Sequence, residues 1–149
     1  MKVLFIIACL LNINLVIGQE TCPEEFTYNF GYCYKYVSTA LNFNQADSHC
    51  NGLATGCSLV SIHSPSEEGF VHGLVQTDGY YWIGLNDINN EADFVWTDRT
   101  LAKWTNWDCG SPGWNAGKDC VHGNEGDSNR WKDEDCENFY HFVCKVAAS

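Results

Sequence analysis

The segment CENFYHFVC, residues 136–144, carries a cysteine at each end of a run rich in aromatic residues. The overlapping run FYHFVCKV (139–146) has the aromatic and β-branched composition typical of a strand. Two earlier runs, YYWIGL (80–85) and FVWTD (94–98), have the same character. The sequence therefore predicts three β-strands in the second half of the chain.

The first half predicts a hairpin and two helices. FTYNFGYCYKYV (26–37) alternates aromatic residues about an Asn and a Gly, which indicates a β-hairpin. Apolar residues recur at helical spacing over 42–50, and SPSEEGFVHGLV (64–75) predicts a second helix capped by Ser64 or Ser66. The α+β fold class itself is what the family resemblance of these segments, given below, implies.

A long segment between Thr97 and Cys136 is rich in Gly, Asn, Asp and Trp and has little periodicity. Loops of such length are usually functional or disordered. Its cysteines argue against disorder, and CGSPGWNAGKDC (109–120) has one at each end with turn residues between them. A loop held in one shape on a rigid scaffold often carries function.

The N-terminus has the features of a secretory signal peptide. Lys2 precedes an apolar run, and Val16 and Gly18 are small enough for a cleavage site. The run is short and interrupted for a membrane span, which needs about 20 apolar residues. We expect a signal peptide at 1–18, a mature domain at 19–149 and a secreted, extracellular protein; the alternative is a retained N-terminal anchor.

Removal of the signal peptide would also change the number of cysteines in the mature chain. Cys9 leaves with the signal, so nine cysteines become eight, an even number that predicts a disulfide framework in a secreted chain. Eight cysteines allow 105 pairings, so the count alone gives no connectivity. Metal-binding thiols are the alternative, and the chain has no CxxC spacing to support them.

The net charge of −11 becomes −12 when Lys2 is lost. An acidic protein repels nucleic acid and anionic membranes, so we expect neither nucleic acid binding nor membrane insertion. The five histidines are scattered, with no spacing typical of metal ligands or of a nucleophile and its base. We therefore predict a binding protein of one domain and not an enzyme.

These segments together closely resemble the long form of the C-type lectin-like domain. The resemblance covers essentially the whole mature chain and rests on fragments in the family's order. The matching fragments are CPEEFTYNFGYCY (22–34), FNQADSHC (43–50), LVSIHSPSEEGFV (59–71), WIGL (82–85), FVWTD (94–98), TNW (105–107) and CENFYHFVC (136–144). It implies two short helices packed on antiparallel sheets, with a long disulfide-anchored loop.

The resemblance also implies a disulfide pattern. It assigns Cys22–Cys33, Cys50–Cys144 and Cys120–Cys136. Cys57 and Cys109 are left over, and we expect them to pair; the alternative is that they form intermolecular bridges.

Sugar-binding members of the family hold Ca²⁺ in the long loop, and this chain lacks most of the ligands. The family's Glu-Pro-Asn or Gln-Pro-Asp triplet matches 111–113, which reads Ser-Pro-Gly. Lys118 replaces a family Glu, and Lys132 replaces the Asn that precedes Asp133. An ammonium group about 4 Å from a dication at an effective dielectric near 20 opposes it by roughly 8 kcal/mol. No calcium is therefore required at the sugar site.

An auxiliary calcium position of the family is partly retained. Asp87 and Glu91 match two of its acids, and Asp119 is a candidate third. The alternative is that these are solvated loop carboxylates. Calcium at this auxiliary site is thus the only cofactor that the sequence suggests.

The remaining candidates for ligand contact lie in the long loop, at 97–136. They are Ser111, Trp114, Lys118, Lys132 and Asp133. Five of the seven Lys and Arg residues after the signal lie between Arg99 and Lys132, which suggests an anionic or N-acetylated glycan. Alternatively, the lysines replace calcium as counter-ions for Asp119 and Asp133.

Two functions compete. The first is carbohydrate recognition through the long loop without the usual calcium site, with innate defence as one setting. The second is a lectin-like domain that binds a protein or a mineral or ice surface. Fold alone does not decide between them. The oligomeric state is left open, and a homo-oligomer is one route by which such lectins gain avidity.

Overall fold

One mixed β-sheet runs through the protein, with two helices packed against it. The computed structural model describes residues 20–76, 78–113, 117–125 and 129–149. Over these ranges the chain forms two helices and eight strands. In chain order they are β1 Thr27–Asn29, β2 Tyr32–Leu41, α1 Phe43–Leu53, β3 Ser58–Leu59, α2 Pro65–Leu74, β4 Tyr81–Asn86, β5 Val95–Trp96, β6 Cys120–Glu125, β7 Arg130–Glu134 and β8 Tyr140–Ala147.

The predicted C-terminal strand is β8, and it lies in the middle of the sheet. The strand order is β1-β2-β8-β4-β6-β7, with β3 also paired to β8 and β5 to β4. The pairings are antiparallel except for that between β4 and β8, which is parallel. The sheet is therefore mixed, whereas the resemblance implied antiparallel sheets.

Helix α1 follows a capping box. The Asn42 side chain accepts the Gln45 backbone N–H at 2.9 Å, and the Gln45 side chain accepts that of Asn42 at 3.3 Å. Its buried face packs into a core cluster that contains Phe43, Trp82 and Phe142. The predicted helix over 42–50 is confirmed and extends three residues further.

Helix α2 begins where Ser64 accepts the Glu67 backbone N–H at 3.2 Å. It buries Val71 against a second core cluster that contains Ile83, Trp96 and Trp131. Strand β4 is buried along its whole length, and its alternating side chains feed both clusters, so it joins the two halves of the core.

The long loop contains more regular structure than the sequence indicated. Strands β6 and β7 form an antiparallel pair inside it, and β6 also pairs with β4. Their composition includes His, Gly, Asn, Lys and Asp, which hid any strand periodicity. Backbone pairing of β6 with the buried β4, and of β7 with β6, gives these polar segments their strand conformation. A local sequence pattern does not reveal pairing between segments that are distant in the chain.

Three disulfides are present, Cys22–Cys33, Cys50–Cys144 and Cys120–Cys136. The expected Cys57–Cys109 bridge is wrong. Cys57 is buried in the first core cluster, whereas Cys109 is exposed in the long loop, and both are free thiols. The even number of cysteines suggested that these two would pair, but the fold places their side chains in different environments.

The two ends of the described chain meet. The Thr21 backbone N–H donates to the Ser149 carbonyl at 2.8 Å, and that of Ser149 donates to the Thr21 carbonyl at 3.2 Å. This contact lies at the β1–β2–β8 side of the sheet, and the long loop lies at the β6–β7 side. The predicted signal peptide at 1–18 lies outside the described residues, and no described helix is long and apolar enough to cross a membrane.

Candidate ligand-binding site

Strands β6 and β7 position most of the predicted site residues. Val121 lies opposite Asp133 and His122 opposite Lys132, while β6 is held by β4 on its other side. Strand β7 ends the sheet, and its outer edge is covered by loop residues 106–108: the Trp131 N–H donates to the Asn106 carbonyl at 2.9 Å. The last part of the long loop thus forms β7, which is an end strand of the sheet.

Asp133 holds the loop segment that corresponds to the family's calcium-binding triplet. Its carboxylate is 3% exposed and accepts the Gly113 backbone N–H on both oxygens, at 2.9 Å each. Ser111 donates its own backbone N–H to the Asp108 carbonyl at 3.0 Å, and the Ser111–Pro112 peptide bond is cis. A carboxylate that would serve a cation in the family here accepts hydrogen bonds from the loop itself.

The two lysines of the predicted site lie apart from Asp133. Successive side chains of a strand point to opposite faces, so Lys132 and Glu134 share one face of β7 and Asp133 is on the other. Lys118 forms an ion pair with Glu134 at 3.1 Å. Burial acts to raise the pKa of Glu134, but the Asp135 backbone N–H and Lys118 outweigh it and hold that pKa below its usual value.

Lys118 therefore does not act as the counter-ion of Asp119 or Asp133 that one expectation stated. The described ion pair of Lys118 is with Glu134, not with Asp119 or Asp133. Asp119 accepts the Gly117 backbone N–H at 3.3 Å, and Asp133 accepts that of Gly113. Backbone N–H groups thus donate to both of these carboxylates.

The three acids of the auxiliary position lie at the end of β4. Asp87 is 4% exposed; its Oδ2 accepts the Ala92 N–H at 2.7 Å, and its buried Oδ1 has no hydrogen-bond partner. The backbone N–H of Asp87 donates to the carbonyl of Asp119 at 3.0 Å. Burial, together with the charges of Asp119 and Asp133, raises the pKa of Asp87. Glu91 is exposed, and its pKa is also raised by desolvation and by these acids.

The described acids of the two family calcium positions are not gathered around one point. Among the described residues, no three His, Cys, Asp or Glu side chains are placed to hold one metal ion together. At the family's sugar site the triplet offers no carboxylate, and Asp133 is already engaged by Gly113. Ca²⁺ prefers six to eight oxygen ligands. The residues present at the sugar site therefore do not fit this ion.

A buried carboxylate that sequence reasoning missed ties helix α2 to β7. Glu68 is 5% exposed and accepts the Trp131 indole N–H and the Asn129 side-chain N–H at 2.8 Å each, and the Tyr81 hydroxyl at 3.3 Å. Burial raises its pKa to about 7 even though these hydrogen bonds lower it. The sequence did contain a sign that Glu68 is buried, because it precedes Val71 by three residues and so lies on the same face of the helix.

Three tryptophan rings contact Trp131, the side chain that donates to Glu68. Trp131 makes edge-to-face contacts with Trp96 at 5.6 Å, Trp104 at 5.3 Å and Trp107 at 6.2 Å between ring centroids. Trp82, Trp96 and Trp131 are fully buried, and Trp107 is half-buried. Trp114, which the sequence also suggested as a ligand contact, lies outside the described residues.

A sheet whose edge carries a long loop, with three disulfides and a tryptophan anchor, defines a small recognition domain of the C-type lectin fold. The family model for the lectin C-type domain matches residues 39–146. The chain belongs to the C-type lectin family.

Three similar proteins illustrate the range of this family. A protein named C-type lectin mannose-binding isoform, from Notechis scutatus scutatus, is 35% identical over 133 residues, covering 83% of this chain and 82% of its own. An alpha-N-acetylgalactosamine-specific lectin from Patiria pectinifera is 33% identical, covering 86% and 84%. The crystal structure of a calcium-independent type II antifreeze protein superposes with a TM-score of 0.81 at 25% identity, covering 87% and 97%. These relatives are lectin-like binding proteins rather than enzymes.

Proposed function

We propose that this protein is a secreted lectin that recognises an anionic glycan through its long loop, without the calcium–sugar contacts of the family. Binding, and not catalysis, is its activity. The sugar-binding names of two relatives support carbohydrate as the ligand class. Three disulfides support an oxidising, extracellular location.

The observation that carries the proposal is the group of basic side chains on the face of β7 that also carries Glu134. One face presents Arg130 and Lys132, and Lys118 approaches the same face through its ion pair with Glu134. The only acid of the family's sugar site, Asp133, is buried on the other face. A carboxylate or sulfate group on a sugar can meet these cations at the protein surface, whereas a neutral sugar has no metal ion to coordinate.

Electrostatic attraction at a half-exposed surface weakens with salt, because the Debye length falls from about 10 Å at 0.1 M to about 3 Å at 1 M. We therefore expect retention on a sulfated or sialylated matrix to fall steeply with added salt. Retention on the matching neutral matrix is expected to be weak at every salt concentration.

A glycan array probed with the mature protein in calcium and again in EDTA tests the proposal. Binding to sulfated or sialylated glycans in both buffers, reduced in Lys118→Ala and Lys132→Ala, is the expected result. Lys35→Ala is a matched control. Lys35 lies on β2, at the other side of the sheet, and forms an ion pair with Glu25. Binding that disappears in EDTA would overturn the calcium-free reading, and an array silent in both buffers would overturn glycan recognition.

The superposition with a calcium-independent antifreeze protein favours one further candidate, a surface that binds ice rather than sugar. That candidate predicts thermal hysteresis in solution and no retention on any glycan. Measuring freezing-point hysteresis on the array-tested preparation separates the two functions.

A further inference from the structure

The β1–β2 hairpin presents an aromatic side chain that the fold itself does not use. Phe30 is 85% exposed, and Tyr32 beside it is 43% exposed. Phe30 has φ +45° and Gly31 φ +82°, and positive φ at both turn residues is what a type I′ turn requires. Asn is the preferred first residue of such a turn, so neither burial nor backbone preference accounts for a phenylalanine there.

This aromatic side chain borders a cleft, which we call the hairpin cleft. It encloses about 410 Å³, and Asn29, Phe30 and Tyr32 form one wall. The opposite wall is the start of α2, where His63, Ser64 and Ser66 supply an imidazole and two hydroxyl groups. Clefts of about 300–1,000 Å³ with apolar walls and a few polar groups are typical of small-ligand sites.

The floor of the hairpin cleft is rigid. Lys145 is 5% exposed, and its Nζ donates to Glu67 at 2.6 Å and to the Ser61 carbonyl at 2.9 Å. The same ammonium group lies 4.2 Å from the centre of the Tyr32 ring. The Tyr34 hydroxyl donates to Glu67 at 2.7 Å. Because the buried cation is already paired, the floor fixes the Tyr32 ring without offering net charge to a ligand.

We infer that the hairpin cleft is a second carbohydrate site, which takes a neutral pyranose stacked on Phe30 and Tyr32. A pyranose has an apolar C–H face that an aromatic ring can cover and hydroxyl groups that need hydrogen-bond partners. Phe30 and Tyr32 provide the first, and Asn29, Ser64 and Ser66 provide the second. The concave shape and the polar far wall fit a small polar ring better than the surface of a second copy of the chain.

This site does not depend on the long-loop function. It uses β1, β2 and the start of α2, on the side of the sheet away from β7. It also calls for an uncharged sugar, whereas the long loop calls for an anionic one. The two inferences can therefore fail separately.

The test is a titration of the labelled protein with lactose, mannobiose and diacetylchitobiose, each followed by NMR of the backbone amides. We expect at least one sugar to shift the amides of Asn29, Gly31, Tyr32 and Ser66 at millimolar concentration. Phe30→Asn places the preferred residue in the turn, so it should keep the unfolding midpoint while the Kd rises about tenfold.

Two control variants sharpen this test. Tyr28→Ser removes another exposed aromatic side chain of the same hairpin that does not line the cleft, and it should leave the Kd unchanged. Lys118→Ala alters the long loop and should also leave it unchanged. The inference is overturned if no sugar shifts the cleft amides. It is also overturned if these amides shift with protein concentration alone, which would make the hairpin a self-association surface.

Discussion

The carboxylate of Asp133 accepts the backbone N–H of Gly113 on both oxygens, at 2.9 Å each, across twenty residues of chain. This contact fastens the long loop to β7 at the position where the family's sugar-binding members use a metal ion. The shape of the loop in this protein thus depends on a hydrogen bond between a buried acid and a main-chain amide.

Removing that acid should loosen the loop. We expect Asp133→Ala to lower the free energy of unfolding by about 2 kcal/mol, because hydrogen bonds to charged groups contribute about 1.5–3 kcal/mol. Asp133→Asn retains one acceptor and should lose less. Urea unfolding and hydrogen exchange of the Gly113 amide measure the effect, with the exposed Asp93→Ala as the control. Unchanged protection of Gly113 in Asp133→Ala would contradict this role.

Glu68 should make stability depend on pH. Its folded pKa of about 7 lies above the ordinary value of 4.5, so the native state retains a proton that the unfolded state loses. The stabilisation is fully present below pH 4.5 and is lost as the pH rises through 7, amounting to about 3 kcal/mol. Glu68→Gln removes the titration and keeps a neutral hydrogen-bonding group.

Urea unfolding of both proteins at pH 4, 6 and 8 isolates this contribution. The stability of Glu68→Gln relative to the unmodified protein should rise by about 3 kcal/mol between pH 4 and pH 8. A difference that stays constant across this range would show that the pKa of Glu68 is the same in the native and unfolded states.

The two free thiols should differ in reactivity. Burial, reinforced by the Asp47 carboxylate, raises the pKa of Cys57 to about 11, and Cys109 is exposed. Only a thiolate attacks a disulfide reagent. We expect one thiol to react in the native protein and the second only after unfolding, and Cys109→Ser should abolish the fast reaction.

A non-reducing gel completes the thiol experiment. A dimer that is present in the unmodified protein and absent in Cys109→Ser would show that this exposed thiol joins two copies. The absence of any reactive thiol after complete unfolding of a monomer would restore the Cys57–Cys109 bridge and contradict the fold described above.

Calcium removal should leave the protein unchanged. The carboxylates at the end of β4 are not arranged as one metal site, so thermal unfolding in calcium and in EDTA should give the same midpoint. Asp87→Asn should raise that midpoint, because it removes a buried charge near Glu91 and Asp119. A midpoint that rises with calcium, and no longer does so in Asp87→Asn, would place an ion at this position.

The sequence predicted the elements whose signals are local. Helix α2 carried a capping serine and an apolar stripe, and β4 and β8 were continuous apolar runs, so their positions followed from pattern alone. Strands β6 and β7 were missed because their polar residues become strands only through pairing: β6 pairs with β4, about 40 residues earlier in the chain, and β7 pairs with β6.

The candidate site was predictable by residue but not by geometry. The pattern placed Lys118, Lys132 and Asp133 in one loop, and the register of β7 separates the last two onto opposite faces. Strand alternation makes this separation inevitable once 130–134 is known to be a strand. The role of Gly113 could not be read from the sequence, because its contribution is a main-chain N–H.

The pairing of Thr21 with Ser149 has a practical consequence for how this protein is handled. Thr21 and Ser149 lie beside the hairpin, since the neighbouring Ala148 donates its N–H to the Gly31 carbonyl at 2.9 Å. A tag or tether at either end therefore orients the molecule in the same way, with the β6–β7 edge facing outward. A sensor chip that captures the protein by its terminus would display the long loop and crowd the hairpin cleft, so each surface needs its own assay format.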